Sequence, residues 1–261
     1  MLKALWAYRG FILSSISNEF VSRFARSKLG GLWAVIHPLL QVAIFALILS
    51  NLLAAKLPGI GDKDGYALYL MAGTLGWNLF SEIVLRSTTL FIDHANLMKK
   101  VRFPKITLPA IVVGSSLLNN VLLFLSILLI FRLLGHTPPL TAVWIPLLMG
   151  LMALFATGLG LLLGILNVFI RDIGQLVPVL LQVLFWFTPI VYPAQIIPPE
   201  YRDLLPMNPI FSLVSAYQQA LLYGLQPDGF SLWPIVALSL PLLMLALWVF
   251  RRASPELVDV L

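Results

Sequence analysis

The sequence predicts an all-α, polytopic membrane protein with six transmembrane helices. Three observations carry this expectation. Of its 261 residues, 60% are hydrophobic and only 11% charged, whereas a soluble domain carries roughly 25% charge. Several apolar runs reach the about 20 residues that a helix needs to cross a bilayer. The basic residues gather on alternate connections between those runs, as a chain threaded back and forth through a membrane requires.

Taken in order, residues 2–27 read as an N-terminal interfacial amphipathic helix. Leu2, Trp6, Leu13, Ile16, Phe20 and Phe24 recur at helical steps, while Lys3, Ser14, Ser17, Asn18, Ser22 and Arg26 lie largely on other faces. Such a helix lies in the membrane interface or packs on a soluble partner. It has neither the continuous apolar centre nor the small-residue cleavage site of a signal peptide. Spans are predicted at 33–53, 66–85, 106–131, 143–168, 174–192 and 232–250. Polar residues 55–65 join the first two, a charged stretch from Arg86 to Lys105 joins the next two, and Arg171-Asp172 turns the fourth into the fifth.

Thirteen of the 17 Lys and Arg residues precede the first span, follow the second, fourth or sixth, and so share one side. Lys56, Lys63, Arg132 and Arg202 fall on the other. The positive-inside rule places both termini in the cytoplasm, consistent with an even span count. The same bias, with attraction to anionic lipid, accounts for the net charge of +6 without invoking nucleic acid.

Residues 193–225 do not read as a simple loop. Prolines at 189, 193, 198, 199, 206 and 209 interrupt them, yet Ile210 to Leu225 is strongly apolar. Broken backbone survives at membrane depth only inside protein or along a cavity. Re-entrant short helices forming an external gate fit this, as does a long external loop with one amphipathic helix.

Several chemistries are excluded. No cysteine is present, which removes disulfides, thiol nucleophiles and Cys-based metal sites. No G-x-x-x-x-G-K-[ST] run exists, so the chain has no P-loop and is not expected to be an enzyme. His37, His94 and His136 are too scattered to predict a metal site. No paired intramembrane carboxylates suggest a proton relay, and Glu82 and Arg86, four apart, are expected to form a local ion pair. An ion-coupled carrier or channel, or a membrane transferase, thus has little support, and energy for transport would enter through a partner.

The stretch Arg86–Lys105 has the features of such an entrance. Asp93 is expected to cap a short helix and Pro104 to end it, giving a segment at 93–103 too short to span. Asn96, Leu97, Met98, Val101 and Phe103 stand beside Lys99, Lys100 and Arg102. A rigid apolar-and-basic helix fits a groove on another protein; a polybasic loop on lipid headgroups fits the same spacing.

Candidate path-lining residues are Trp33, Phe45, Trp77, Phe80, Asn119, Phe185, Trp186, Phe187, Tyr192, Phe211, Tyr217 and Tyr223. Aromatic rings pair flat apolar faces with polar edges, although interfacial belts use the same residues. Asn119, Asn120, Gln41 and Gln182 either line a path or bond between helices. Gly158, Gly160 and Gly164 predict a close-packing face on the fourth span. Arg23, Arg26 and Lys28 either attract a phosphate-bearing headgroup or only set topology.

Five segments, Arg23 to Leu39, Asn96 to Pro104, Asn167 to Ile173, Thr188 to Tyr192, and Asn208-Pro209, taken in this order, resemble those of the ABC type 2 polysaccharide export permeases. Departures are small: Phe24-Ala25 stands where Tyr-Arg is usual, and His37 where Gln is common. The resemblance implies a homodimer of six-span subunits working with two P-loop ATPase subunits, which would hold the ATP and Mg while this chain binds no cofactor. It implies a coupling helix at about Asp93–Val101, a gate of short helices after the fifth span, and residence in a bacterial inner membrane. The expected substrate is a lipid-linked polysaccharide of the O-antigen type, with capsule and teichoic acid chains as alternatives.

Overall fold

The computed structural model describes residues 2–24, 30–33, 35–37, 39–41, 43–44, 48, 63–101, 103–133, 135, 137–254 and 256–257. It is all-helical, with no strand among those residues. The helices are α1 (Leu2–Ala7), α2 (Arg9–Phe24), α3 (Lys63–Asp93), α4 (Ala95–Lys100), α5 (Thr107–Leu133), α6 (Ile145–Phe169), α7 (Ile173–Phe187), α8 (Pro199–Arg202), α9 (Pro209–Gln218) and α10 (Gly229–Ala253). Of these, α3, α5, α6 and α10 are long and apolar enough to cross a membrane. Most of the predicted first span, 33–53, lies outside the described residues, and those described within it from 33 to 48 are helical.

The interfacial segment divides at Tyr8, whose amide still bonds the Ala4 carbonyl at 3.0 Å, so α1 and α2 nearly join. Ile16 of α2 lies against Gly114 of α5, where a Cβ would meet its Cδ1 at 2.4 Å. Helix α3 departs most from expectation. Instead of ending near Leu85 it continues to Asp93, 31 residues in all, or about 46 Å at 1.5 Å per residue. No Gly or Pro interrupts it between Gly76 and Asp93, and the charge of Arg86 is paired with Glu82 of α3 itself and Glu19 of α2.

Helix α7 is shorter than its predicted span, 15 residues ending at Phe187, because Thr188-Pro189 leaves the helical region. Helix α10 begins at Gly229 rather than 232 because Asp228 caps it, accepting from the amides of Phe230 and Ser231 at 3.1 Å.

The burial of the spans sets the layout. Helix α3 has 78% of its apolar window inside the protein, whereas α10 has 17%. Helix α3 is therefore the central post, packed on α6, α5, α7 and α9, while α10 leans on α6 at the rim. The main core gathers Tyr66, Phe80, Ile127, Met152, Leu213 and Tyr217. A second cluster, with Phe91, Met98, Ile165 and Phe250, lies towards the end that carries α4.

The region predicted as two re-entrant helices is a chain of short turns, Ala194–Ile196, α8 and Leu205–Met207, followed by α9 and a π turn, Gln219–Tyr223. Helix α9 packs against α3. Its cap, Asn208, accepts from the Ile210 amide and donates to Thr188 Oγ1, both at 3.0 Å. Tyr66 donates to the Val191 carbonyl at 2.6 Å, Tyr69 to those of Pro189 and Tyr192 at 3.0 and 3.1 Å, and Gln218 to that of Pro189 at 3.2 Å. The 188–192 turn is thus held from several sides, which satisfies backbone that no regular element pairs.

Candidate functional site

Three features stand out: a basic turn at one end, a polar cluster deep in the bundle, and an aromatic cavity towards the other end.

The basic turn leaves α3 at His94, whose Nδ1 donates to the Leu90 carbonyl at 2.9 Å. Asp93 is not the cap expected from the sequence. It is the last residue of α3, and His94 precedes α4 without a side-chain capping bond. Helix α4 covers only Ala95–Lys100, because Val101 is extended (φ −122°, ψ 131°) and Pro104 keeps its predecessor from helical geometry. Leu97 and Val101 are 38% and 49% exposed, with Lys99 and Lys100 exposed beside them. Met98, grouped with them on sequence, is 7% exposed and packs inward against the second cluster. Asn96 is exposed, and Arg102 lies outside the described residues. Phe103 meets Phe11 at 6.1 Å between ring centroids, and Lys105 Nζ donates to the Ser254 carbonyl at the end of α10. The turn is thereby braced by α2 and the end of α10.

The polar cluster centres on Arg86. Nη1 donates to Ser115 Oγ at 2.8 Å and to Glu82 Oε1 and Ser116 Oγ at 3.3 Å, while Nη2 donates to Glu19 Oε1. The expected local pair is thus one arm of a junction joining α2, α3 and α5. Asn119 also donates to Glu82 Oε1, at 3.0 Å. Asn120 donates to the Leu75 carbonyl at 2.9 Å, and its Oδ1 is buried with no partner among the described residues. Glu19, Ser115 and Ser116 were not candidates on sequence. The signal for Glu19 was a carboxylate in an otherwise basic, amphipathic helix.

The aromatic cavity holds about 870 Å³ between α6, α7 and the turns before α9. It brings together Phe80, Trp186, Phe187 and Tyr192 of the sequence candidates, with Phe155 and Tyr201 added. Tyr192 donates to the Trp186 carbonyl at 2.6 Å. Trp77 and Tyr217 are not on this surface. Trp77 is buried against Phe80 and Phe185, at 5.7 and 5.5 Å, and Tyr217 lies in the core against Gly76, where a Cβ would meet its ring at 3.1 Å. Both fill helix crossings that sequence spacing alone does not reveal. Phe185 and Phe211 are half-buried outside the cavity lining, and Trp33 is exposed. Phe45, Arg26 and Lys28 lie outside the described residues, as does the Arg23 side chain.

A further junction closes the basic end. Asn167, 1% exposed, donates to the Thr88 carbonyl at 2.8 Å and accepts from the Gly174 amide at 2.8 Å, tying α6, α3 and α7. Together the features describe a bundle with a braced, outward-facing knob at one end and an aromatic chamber towards the other.

The family model for the ABC-2 type transporter matches residues 11–222. The O-antigen export system permease protein RfbA of Myxococcus xanthus is 29% identical over 261 residues, covering 99% of this chain and 98% of its own. An RfbA of Klebsiella pneumoniae is 29% identical over 215 residues, 82% of this chain and 81% of its own. The polysialic acid transport protein KpsM of Escherichia coli is 23% identical over 245 residues, 92% of each chain. With most of its length inside that family model, including the basic turn, the Arg86 and Asn167 junctions and the aromatic cavity, the chain belongs to the ABC-2 type transporter family.

Proposed function

We propose that this chain is the membrane-spanning subunit of an exporter that carries a lipid-linked polysaccharide, of the O-antigen type, to the outer face of the bacterial inner membrane. A separate ATPase drives it, holding the ATP and Mg. The observation that carries this reading is the end-to-end similarity to O-antigen export permeases, in a chain that lacks a P-loop and presents an exposed apolar-and-basic turn. The working unit is a homodimer of six-span subunits, the two spans beyond the four long helices being 33–53 and α7. Both termini are cytoplasmic, so the α4 turn meets the ATPase. The similarity to KpsM favours one second reading, a capsule-type chain as substrate. Complementing O-antigen and capsule export mutants with the same plasmid, and scoring surface polysaccharide, separates the two; restoring neither overturns the export reading.

Docking rests on Leu97 and Val101, with Lys99, Lys100 and Arg102 as steering charge. Burying a Leu or Val side chain is worth about 1.5–3 kcal/mol. Leu97→Asp with Val101→Asp is therefore expected to weaken ATPase co-purification at least thirtyfold, a loss of about 2 kcal/mol. Reversing the three basic residues is expected to slow association mainly at low salt. Intact assembly and coupled hydrolysis in both variants would rule out docking at this turn.

Arg23, Arg26 and Lys28 attract the phosphates of the lipid carrier. Replacing all three with Gln is expected to lower export severalfold while orientation, read by cysteine accessibility at engineered termini, is unchanged. Unchanged export would leave these residues only a topological role.

A further inference from the structure

The polar cluster borders a cavity of about 430 Å³ whose lining includes His37, Gln41, Asn78, Ser81, Glu82 and Asn119. Among the described residues that line it, Leu85 and Leu123 are the apolar ones. It is not at a helix end. Glu82 stands eleven residues before the end of α3, about 16 Å along the helix, and Asn119 is equally deep in α5. Ionisable and polar groups at such depth mark function unless they only pair with one another. Here some do pair, but around an open volume that falls within the roughly 300–1,000 Å³ of small-molecule sites.

The lining defines the occupant. Arg86 is matched by Glu82 and Glu19, so the described lining offers no unbalanced cation for a phosphate. The guanidinium and the Asn119 amide both donate to Glu82 Oε1, which disfavours a metal cation at that oxygen. What the walls offer are amides, a hydroxyl, an imidazole and a carboxylate side by side, a mixture of donors and acceptors. That mixture suits vicinal hydroxyls, each of which donates and accepts. We infer that this cavity binds a neutral polyhydroxylated ring, a sugar unit of the exported chain, midway along the bundle. The inference rests on the export reading for the source of the sugar; a lipid glycerol headgroup is the other source with similar chemistry.

The test uses the permease–ATPase complex in nanodiscs and an octyl glucoside carrying a diazirine on the sugar. Photolabel is expected on peptides containing residues 78–86 or 119–123. It should be competed at least tenfold better by octyl glucoside than by octyl glycerol or octyl phosphate. Asn119→Leu, and separately Gln41→Leu on another element of the wall, should each reduce labelling at least fivefold, with co-purification of the ATPase checking assembly. Asn119→Leu also removes a bond to Glu82, so Gln41→Leu keeps the test open if the first variant fails to assemble. Equal competition by octyl glycerol assigns the cavity to lipid headgroups and overturns the proposal. Label elsewhere, or label that survives both substitutions, also overturns it. Labelling as expected in a permease that restores no polysaccharide export overturns only the export reading.

Discussion

Replacing Arg86 with methionine is expected to destabilise the extracted protein by about 2–3 kcal/mol and to release α2 from the bundle. Removing one member of a buried ion pair costs roughly 3–5 kcal/mol, because the remaining charge stays buried without its partner. The side chains here are 22–29% exposed, so water recovers part of that. Two carboxylates, Glu82 and Glu19, would lose their cation together, and Ser115 and Ser116 would lose the hydrogen bonds they accept from it. Lysine keeps the charge but not the fork that reaches α2 and α5 at once, so Arg86→Lys should lie between wild type and methionine. Glu19→Gln separates the arms. It leaves the contacts between α3 and α5 in place and weakens only the tie to α2. The measurements are thermal unfolding in detergent and the rate of proteolysis within residues 2–24. Glu19→Gln should accelerate cleavage several-fold with a small change in melting, and Arg86→Met should change both. Unchanged cleavage in both variants would show that α2 is held by its apolar face alone.

Arg86 also shows why part of this molecule was legible in the sequence and part was not. The apolar helices α5, α6 and α10 are continuous runs bounded by Pro104, Pro139 and Asp228, and hydropathy registers such runs directly. The same criterion reads Arg86 as the end of a span. Its partner Glu19 lies 67 residues away, and no local pattern announces that a charge will be neutralised at that distance. The basic turn was legible in outline from Pro104 and the run of lysines. Its facing was not, because six residues are too few for a periodicity to separate Met98 from Leu97. The aromatic candidates divide similarly. Phe80, Trp186 and Tyr192 reach the cavity, whereas Trp77 and Tyr217 fill crossings set by Gly76 and Phe185. Composition names the ring but not the neighbour it meets.

The α3–α6 crossing is where a single methyl group is expected to do most damage. A Cβ on Gly164 would lie 2.2 Å from the Ser87 carbonyl oxygen, and one on Gly160 would lie 2.8 Å from Ser87 Cβ. Gly158, expected on the same face, instead meets the Leu242–Leu243 backbone of α10 at 3.0 Å. Two residues apart on a helix is nearly opposite, so the three glycines serve two interfaces. At Gly160 the obstacle, Ser87 Cβ, is also fixed to the α3 backbone but stands further off, at 2.8 Å. At Gly164 it is backbone, so the central post itself must move. That motion would loosen the Phe80–Phe155 stack at 6.0 Å and the hydrogen bond from Asn167 to Thr88. Overpacking typically costs about 1–3 kcal/mol, and a backbone obstacle places Gly164→Ala at or above the top of that range. The melting temperature should fall by roughly 6–12 °C, at about 2–4 °C per kcal/mol. Gly164→Leu should give no folded protein, while Gly160→Ala should be milder. Gly150, on the same helix with nothing within 4 Å of where a Cβ would stand, is the control, and Gly150→Ala should be neutral or slightly stabilising. If Gly164→Ala and Gly150→Ala melt alike in the same detergent, the close approach of α3 and α6 at Ser87 is wrong, and with it the central position of α3.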